Sequence, residues 1–174
     1  MHPSTKKMTL AIVTTICLTL GHATHAQTQT TIQKGVTMSS NATGPFEVKI
    51  DPQPADEKAG GAPISRMLLD KKFHGDLEAT SRGTMLAAGN PAKGNGGYVA
   101  LENVTGTLKG HTGTFVLQHT ATMIHGVPDL SIIVVPDSGT GQLTGISGKM
   151  NIIIADGKHS YNFEYTLANT SDKP

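Results

Sequence analysis

Cysteine is all but missing from this chain, and tryptophan is absent. The one cysteine, Cys17, lies in the apolar run of residues 8–20, so nothing beyond it carries a thiol. That excludes disulfides, thiol catalysis and cysteine-ligated metal from the rest of the protein. Aromatic residues make up only 4% of the sequence, so a core has to be built mainly from aliphatic side chains and methionine. Charge of one sign is lacking too. The net charge is +1 with Lys and Arg scattered along the chain, which argues against nucleic acid or an anionic membrane surface as partner. Helical periodicity is absent outside the first 26 residues, and no later apolar run approaches the ~20 residues needed to span a bilayer.

What is present begins with a leader. Lys6 and Lys7 precede the apolar run, and the small residue Ala26 precedes a cut expected at Gln27. Residues 1–26 therefore read as a secretory signal peptide, which implies an exported protein, periplasmic or secreted, with no membrane association after cleavage. Cys17 follows Ile16 rather than a small residue, unlike a lipoprotein attachment site. Residues 27–43 are polar, rich in Thr and Gln and without periodicity, and read as a disordered lead-in. A single barrel domain is expected over 44–168, followed by a C-terminal tail at 169–174.

Within that domain nearly every segment alternates Val, Ile, Leu, Thr and Tyr between turn residues. Strands are expected at 46–50, 64–73, 77–86, 98–108, 113–124, 130–135, 143–155 and 158–167. Loops are expected at 51–63 and 88–97, both dense in Gly and Pro or charge. Lys109-Gly110, His125 to Asp129, Asp137-Ser138-Gly139 and Asp156-Gly157 supply further turns. At His74-Gly75-Asp76 the apolar phase stays on odd positions. This spacing predicts either a three-residue loop pairing Phe73 with Leu77 or one long strand bent at Gly75. Short connections between antiparallel strands, each with one apolar face, favour an all-β, up-and-down barrel of about eight strands; a sandwich is the alternative.

In such a barrel the apolar face points inward. In the stretch GTFVLQHTATM that face holds Phe115, Leu117, His119, Ala121 and Met123. On the last strand it holds His159, Tyr161, Phe163, Tyr165 and Leu167. The strand from Tyr98 can be read either way; the side carrying Tyr98 is taken as inner, which brings Glu102 inward beside the strand of His119. A buried carboxylate beside an imidazole is a candidate acid–base pair, because burial and proximity shift both groups. The pair reads equally as two core groups satisfying one another. His119 and Glu102 are thus the candidate catalytic residues. Tyr98, Phe115, Leu117, Met123, His159, Tyr161, Phe163 and Tyr165 are the candidate ligand-binding residues.

No metal or other cofactor is expected. The histidines beyond the leader (His74, His111, His119, His125, His159) never stand two apart on a strand, so the double-histidine signature of metal-binding cupins is missing. Ser138 lies in PDSGTG, which lacks the Gly-x-Ser-x-Gly elbow of hydrolases.

The segments LDKKFHGDLEATSRGTML, GGYVALENVTGTLKGHTGTFVLQHTATM, VVPDSGTGQLTGISGKMNI and DGKHSYNFEYTL resemble a family of small bacterial proteins known only as a domain of unknown function. That family is grouped with the allene oxide cyclase-like barrels. The resemblance implies an eight-stranded barrel and often a homodimer, but no catalytic motif of allene oxide cyclase can be matched here. Three functions remain open: a module that binds a small apolar molecule in its lumen, an isomerase or cyclase using His119 and Glu102, and a packed barrel whose outer face binds a partner.

Overall fold

The computed structural model describes residues 39–54 and 63–167; the expected leader, the lead-in as far as residue 38 and the tail lie outside them. Eight antiparallel strands form a closed barrel in chain order. They are β1 (Ser40–Pro52), β2 (Ser65–Phe73), β3 (Leu77–Asn90), β4 (Asn95–Leu108), β5 (His111–Ile124), β6 (Val127–Val134), β7 (Ser147–Ala155) and β8 (Lys158–Thr166). Closure is made by β1 against β8, where Ser40 lies opposite Tyr165 and Phe46 opposite His159. The all-β barrel expected from the alternation is the observed fold, and no helix among the described residues is long and apolar enough to cross a membrane.

Several boundaries differ from the sequence reading, each for a local reason. β1 starts at Ser40, inside the expected lead-in, because Ala42 is buried against the rest of the core. β3 and β4 run through much of the expected 88–97 loop and leave only a single 3-10 turn at Pro91–Lys93. His125 and Gly126 both take positive φ, so this is a two-residue hairpin, and Val127, Pro128 and Asp129 belong to β6 rather than to the turn. The strand expected at 143–155 begins only at Ser147; Gly141–Leu143 form a 3-10 turn, and Gly145 has φ 77.

Neither reading of residues 73–77 is observed. Phe73 pairs with Ala79, not Leu77, because the intervening chain bonds to β1 instead of to itself. The His74 N–H donates to the Pro45 carbonyl, and the Asp76 N–H to that of Thr43. The Tyr161 hydroxyl accepts from the Leu77 N–H at 2.8 Å and donates to the His74 carbonyl at 3.0 Å. Gly44 lies beneath this turn, and a Cβ there would collide with the His74 carbonyl.

The two ends of the barrel are unlike. At one end Leu77, Leu108, Phe115, Phe163 and Tyr161 are buried, with Phe115 and Phe163 stacked at 5.7 Å. The segment between β6 and β7 closes this end, burying Leu143 and Ile146. Its Thr140 carbonyl passes so close to Gly113 that a Cβ there would overlap it. Toward the other end burial fades along every strand. Inward-facing positions there reach 50% exposure at Ile50, 36% at Leu130 and 66% at Ile154. The fold is therefore a cup, closed by aromatic packing below and open above.

Candidate functional site

Four consecutive strands each place one polar side chain on the inner wall, at the depth where the open half meets the packed half. Lys71 comes from β2, Ser81 from β3, Glu102 from β4 and His119 from β5, and all four are buried. Register brings them together: Lys71 lies opposite Ser81, and Ala100, one inward step from Glu102, lies opposite His119. Gly83 faces Glu102 across β3 and β4, where a Cβ would press on the Leu101 carbonyl and the Glu102 backbone.

Glu102 is the hub. Its Oε2 accepts from the Lys71 Nζ at 2.7 Å, and its Oε1 accepts from the Ser81 hydroxyl. The Lys71 ammonium also lies 5.4 Å from the ring centre of Phe46 and 5.8 Å from that of Phe73, so its charge rests against two aromatic faces. Burial pushes the Glu102 carboxyl upward. The nearby imidazole of His119, the charge and hydrogen bond of Lys71 and the hydroxyl of Ser81 outweigh this and hold it down to about 2. The ionised form is thus the resident one.

His119 stands differently. Its Nε2 approaches Glu102 Oε2 to 2.9 Å, yet this buried nitrogen makes no aligned hydrogen bond. Two lone pairs facing each other at that distance would repel, so Nε2 carries the hydrogen. Glu102 Oε2, which has two lone pairs, thus faces both the Lys71 ammonium and the His119 Nε2–H. The Ser81 hydroxyl donates to the Glu102 carboxylate, which at about 2 is a weak base for activating a hydroxyl nucleophile.

Above the cluster an apolar recess of about 290 Å³ opens at the mouth, lined by Ala87, Gly96, Tyr98, Ala121, Met123 and Leu130 among others. Ala121 and Tyr98 face each other across β4 and β5, one inward step above His119 and Ala100. The Tyr98 phenol is raised first by burial and then by the negative charge of Glu102, which places it within reach of the cluster's field.

The candidate residues therefore separate by depth. Glu102 and His119 meet in the polar cluster, with the Tyr98 side of β4 inward; Tyr98 and Met123 line the recess. Phe115, Leu117, Tyr161, Phe163 and Tyr165 are buried in the packed core cluster. His159 is half-buried with its ring 5.2 Å from that of Phe46, away from the recess-lining residues. Lys71 and Ser81 were not among the candidates. Their signal was the odd-numbered phase itself, since Lys71 falls between Leu69 and Phe73 on the inner face of β2. Among the described residues no group of three or more His, Asp or Glu side chains gathers as a metal site.

Comparison with the curated proteins found no match to the chain. A solved structure from Shewanella oneidensis MR-1, described as a protein with unknown function from the DUF3224 family, is 45% identical and superposes with a TM-score of 0.70. The match covers 76% of this chain and 100% of that one. The model of the same family, proteins of unknown function (DUF3224), matches residues 42–165, from Ala42 at the start of the core to Tyr165 at its end. With the family model spanning residues 42–165 and a family structure 45% identical, the chain belongs to the DUF3224 family.

Proposed function

We propose that this barrel is an exported binding protein that holds a small, mainly apolar molecule in the open half of its lumen. The observation that supports this most is the division of the interior. Aromatic packing fills one half, whereas the other keeps an apolar recess above a buried polar cluster. Small-molecule sites have this composition, with apolar walls and a few polar groups that fix orientation. The leader read in residues 1–26 supports action outside the cytoplasm. Titration with N-phenyl-1-naphthylamine, an uncharged fluorophore, tests the reading. Saturable one-to-one enhancement that Met123→Trp abolishes is expected; no saturable binding, or binding indifferent to Met123→Trp, overturns it.

A second reading has an observation of its own. Val99 and Leu101 lie exposed on the outer face of β4, and the outward residues of β4 and β5 include no charged side chain. An uncharged apolar face can meet its own copy across a two-fold axis without like-charge repulsion. Self-association through it predicts a dimer by sedimentation that Leu101→Lys converts to monomer; a wild-type monomer at high micromolar concentration refutes it.

A further inference from the structure

We propose that the seam between β6 and β7 is a docking edge for an extended, uncharged apolar segment of a partner protein, which adds to β7 as a strand through its backbone. The edge is backbone of the barrel wall and stands whatever the lumen holds.

The wall is incompletely joined along this seam. β6 pairs with β5 from Val127 to Val134, and β7 pairs with β8 from Ser147 to Ala155. Between them, β6 and β7 pair at Ile133 and Lys149 alone. Hydrogen-bond phase identifies the groups left over toward the mouth. His125-Gly126 and Asp156-Gly157 are two-residue hairpins with positive φ at both positions, which close on the hydrogen-bonded pairs Ile124–Val127 and Ala155–Lys158. Antiparallel ladders alternate from such a pair. Asp129 and Ser131 thus bond to β5, and Asn151 and Ile153 to β8. Leu130 on β6, with Ile152 and Ile154 on β7, turn N–H and C=O toward the seam, where no ladder pairing meets them.

The two edges are not equally guarded. Pro128 has no N–H to offer the seam, and proline in a strand belongs at an edge. With the exposed Asp129 it blunts β6. β7 carries no such guard. Its mouthward residues, Ile152-Ile153-Ile154-Ala155, are uncharged, free of proline and mostly β-branched, and Ile153 and Ile154 are 51% and 66% exposed. An edge of this kind is a template for strand pairing. Two N–H and two C=O groups at strand spacing are matched by another extended backbone, and the isoleucines on both faces of β7 select apolar residues on the incoming strand. Because β6 stands beside this edge, a single strand is admitted where the wall of a second barrel is not.

Amide exchange followed by NMR tests the edge and its occupant. In the free protein the Leu130, Ile152 and Ile154 N–H groups should exchange about tenfold or more faster than those of Ser131, Asn151 and Ile153. The probe is acetyl-Lys-Val-Thr-Ile-Thr-Val-Lys-amide, flanked by lysines for solubility. At saturation it should slow exchange at Ile152 and Ile154 by about tenfold or more, and the same peptide N-methylated at its five central residues should not. Ile154→Pro removes one N–H that faces the seam and no bond to β8. It should keep an unfolding midpoint near wild type and bind the peptide about five- to tenfold more weakly, the factor of one hydrogen bond. Slow exchange at all three amides in the free, dilute protein, or unfolding by Ile154→Pro, overturns the open edge. Exchange that slows with protein concentration alone assigns the edge to a second copy and overturns the peptide partner. No protection by the probe, or equal protection by its N-methylated form, overturns docking. Each of these results leaves the lumen reading standing.

Discussion

Replacing Lys71 with methionine keeps the hydrocarbon that packs against Phe46 and Phe73 but removes the charge that Glu102 faces. In the native barrel the Glu102 carboxyl is held down from 4.5 to about 2, which at about 1.4 kcal/mol per pH unit is a contribution of about 3 kcal/mol. The sign follows from the depressed value. This stabilisation is fully present above the unfolded carboxyl's 4.5 and is lost as pH falls from 4.5 through about 2. In Lys71→Met the burial that raises Glu102 is opposed only by His119 and Ser81, so its carboxyl rises from about 2 toward the ordinary range. The pH dependence then flattens: the variant loses less stability than wild type as the pH falls from 4.5. At pH 7 the loss should be about 3 kcal/mol or more, in the range for breaking a buried pair. The double variant Lys71→Met, Glu102→Leu should regain most of it, because no charge is left unpaired. Urea unfolding of the three proteins from pH 3 to 8 measures all of this. A Lys71→Met barrel within about 1 kcal/mol of wild type at pH 7, with an unchanged slope against pH, would refute the reasoning.

Other substitutions probe the remaining parts. Tyr161→Phe removes the hydroxyl that accepts from the Leu77 N–H and donates to the His74 carbonyl, and should cost about 1–3 kcal/mol by chemical denaturation. Gly113→Ala forces a methyl into the Thr140 carbonyl; the closing segment must move, and stability should fall by about 1–3 kcal/mol. Phe115→Ala leaves a void beside Phe163 and should cost about 3–5 kcal/mol in the same assay. Met123→Trp fills the half-buried mouth, not the core; the unfolding midpoint should stay near wild type while probe binding is lost.

Period-two alternation made the barrel and most of its inner faces legible but left β4 open, and it was the aromatic Tyr98 that brought Glu102 inward beside the strand of His119. Depth is what alternation does not encode. Phe115 and Met123 share a face, yet one is in the packed core and the other at the mouth. Which positions lie level across strands is set by register, and register is set by turns. The turn at residues 74–76 bonds to β1 rather than closing on itself, so Phe73 lies opposite Ala79, and local spacing could not show that. Lys71 and Ser81 were hidden for a related reason. Each is one polar residue in an apolar phase, and only Glu102, supplied from β4, gives their inward direction a purpose.

The central claim is that the open half of the lumen holds a small, mainly apolar molecule. Native mass spectrometry of the protein purified from its own host, followed by solvent extraction, tests it most directly. The account predicts a one-to-one adduct of a small, mainly apolar molecule that disappears in Met123→Trp. Bare protein from the same preparation, or an adduct that survives Met123→Trp, would contradict it.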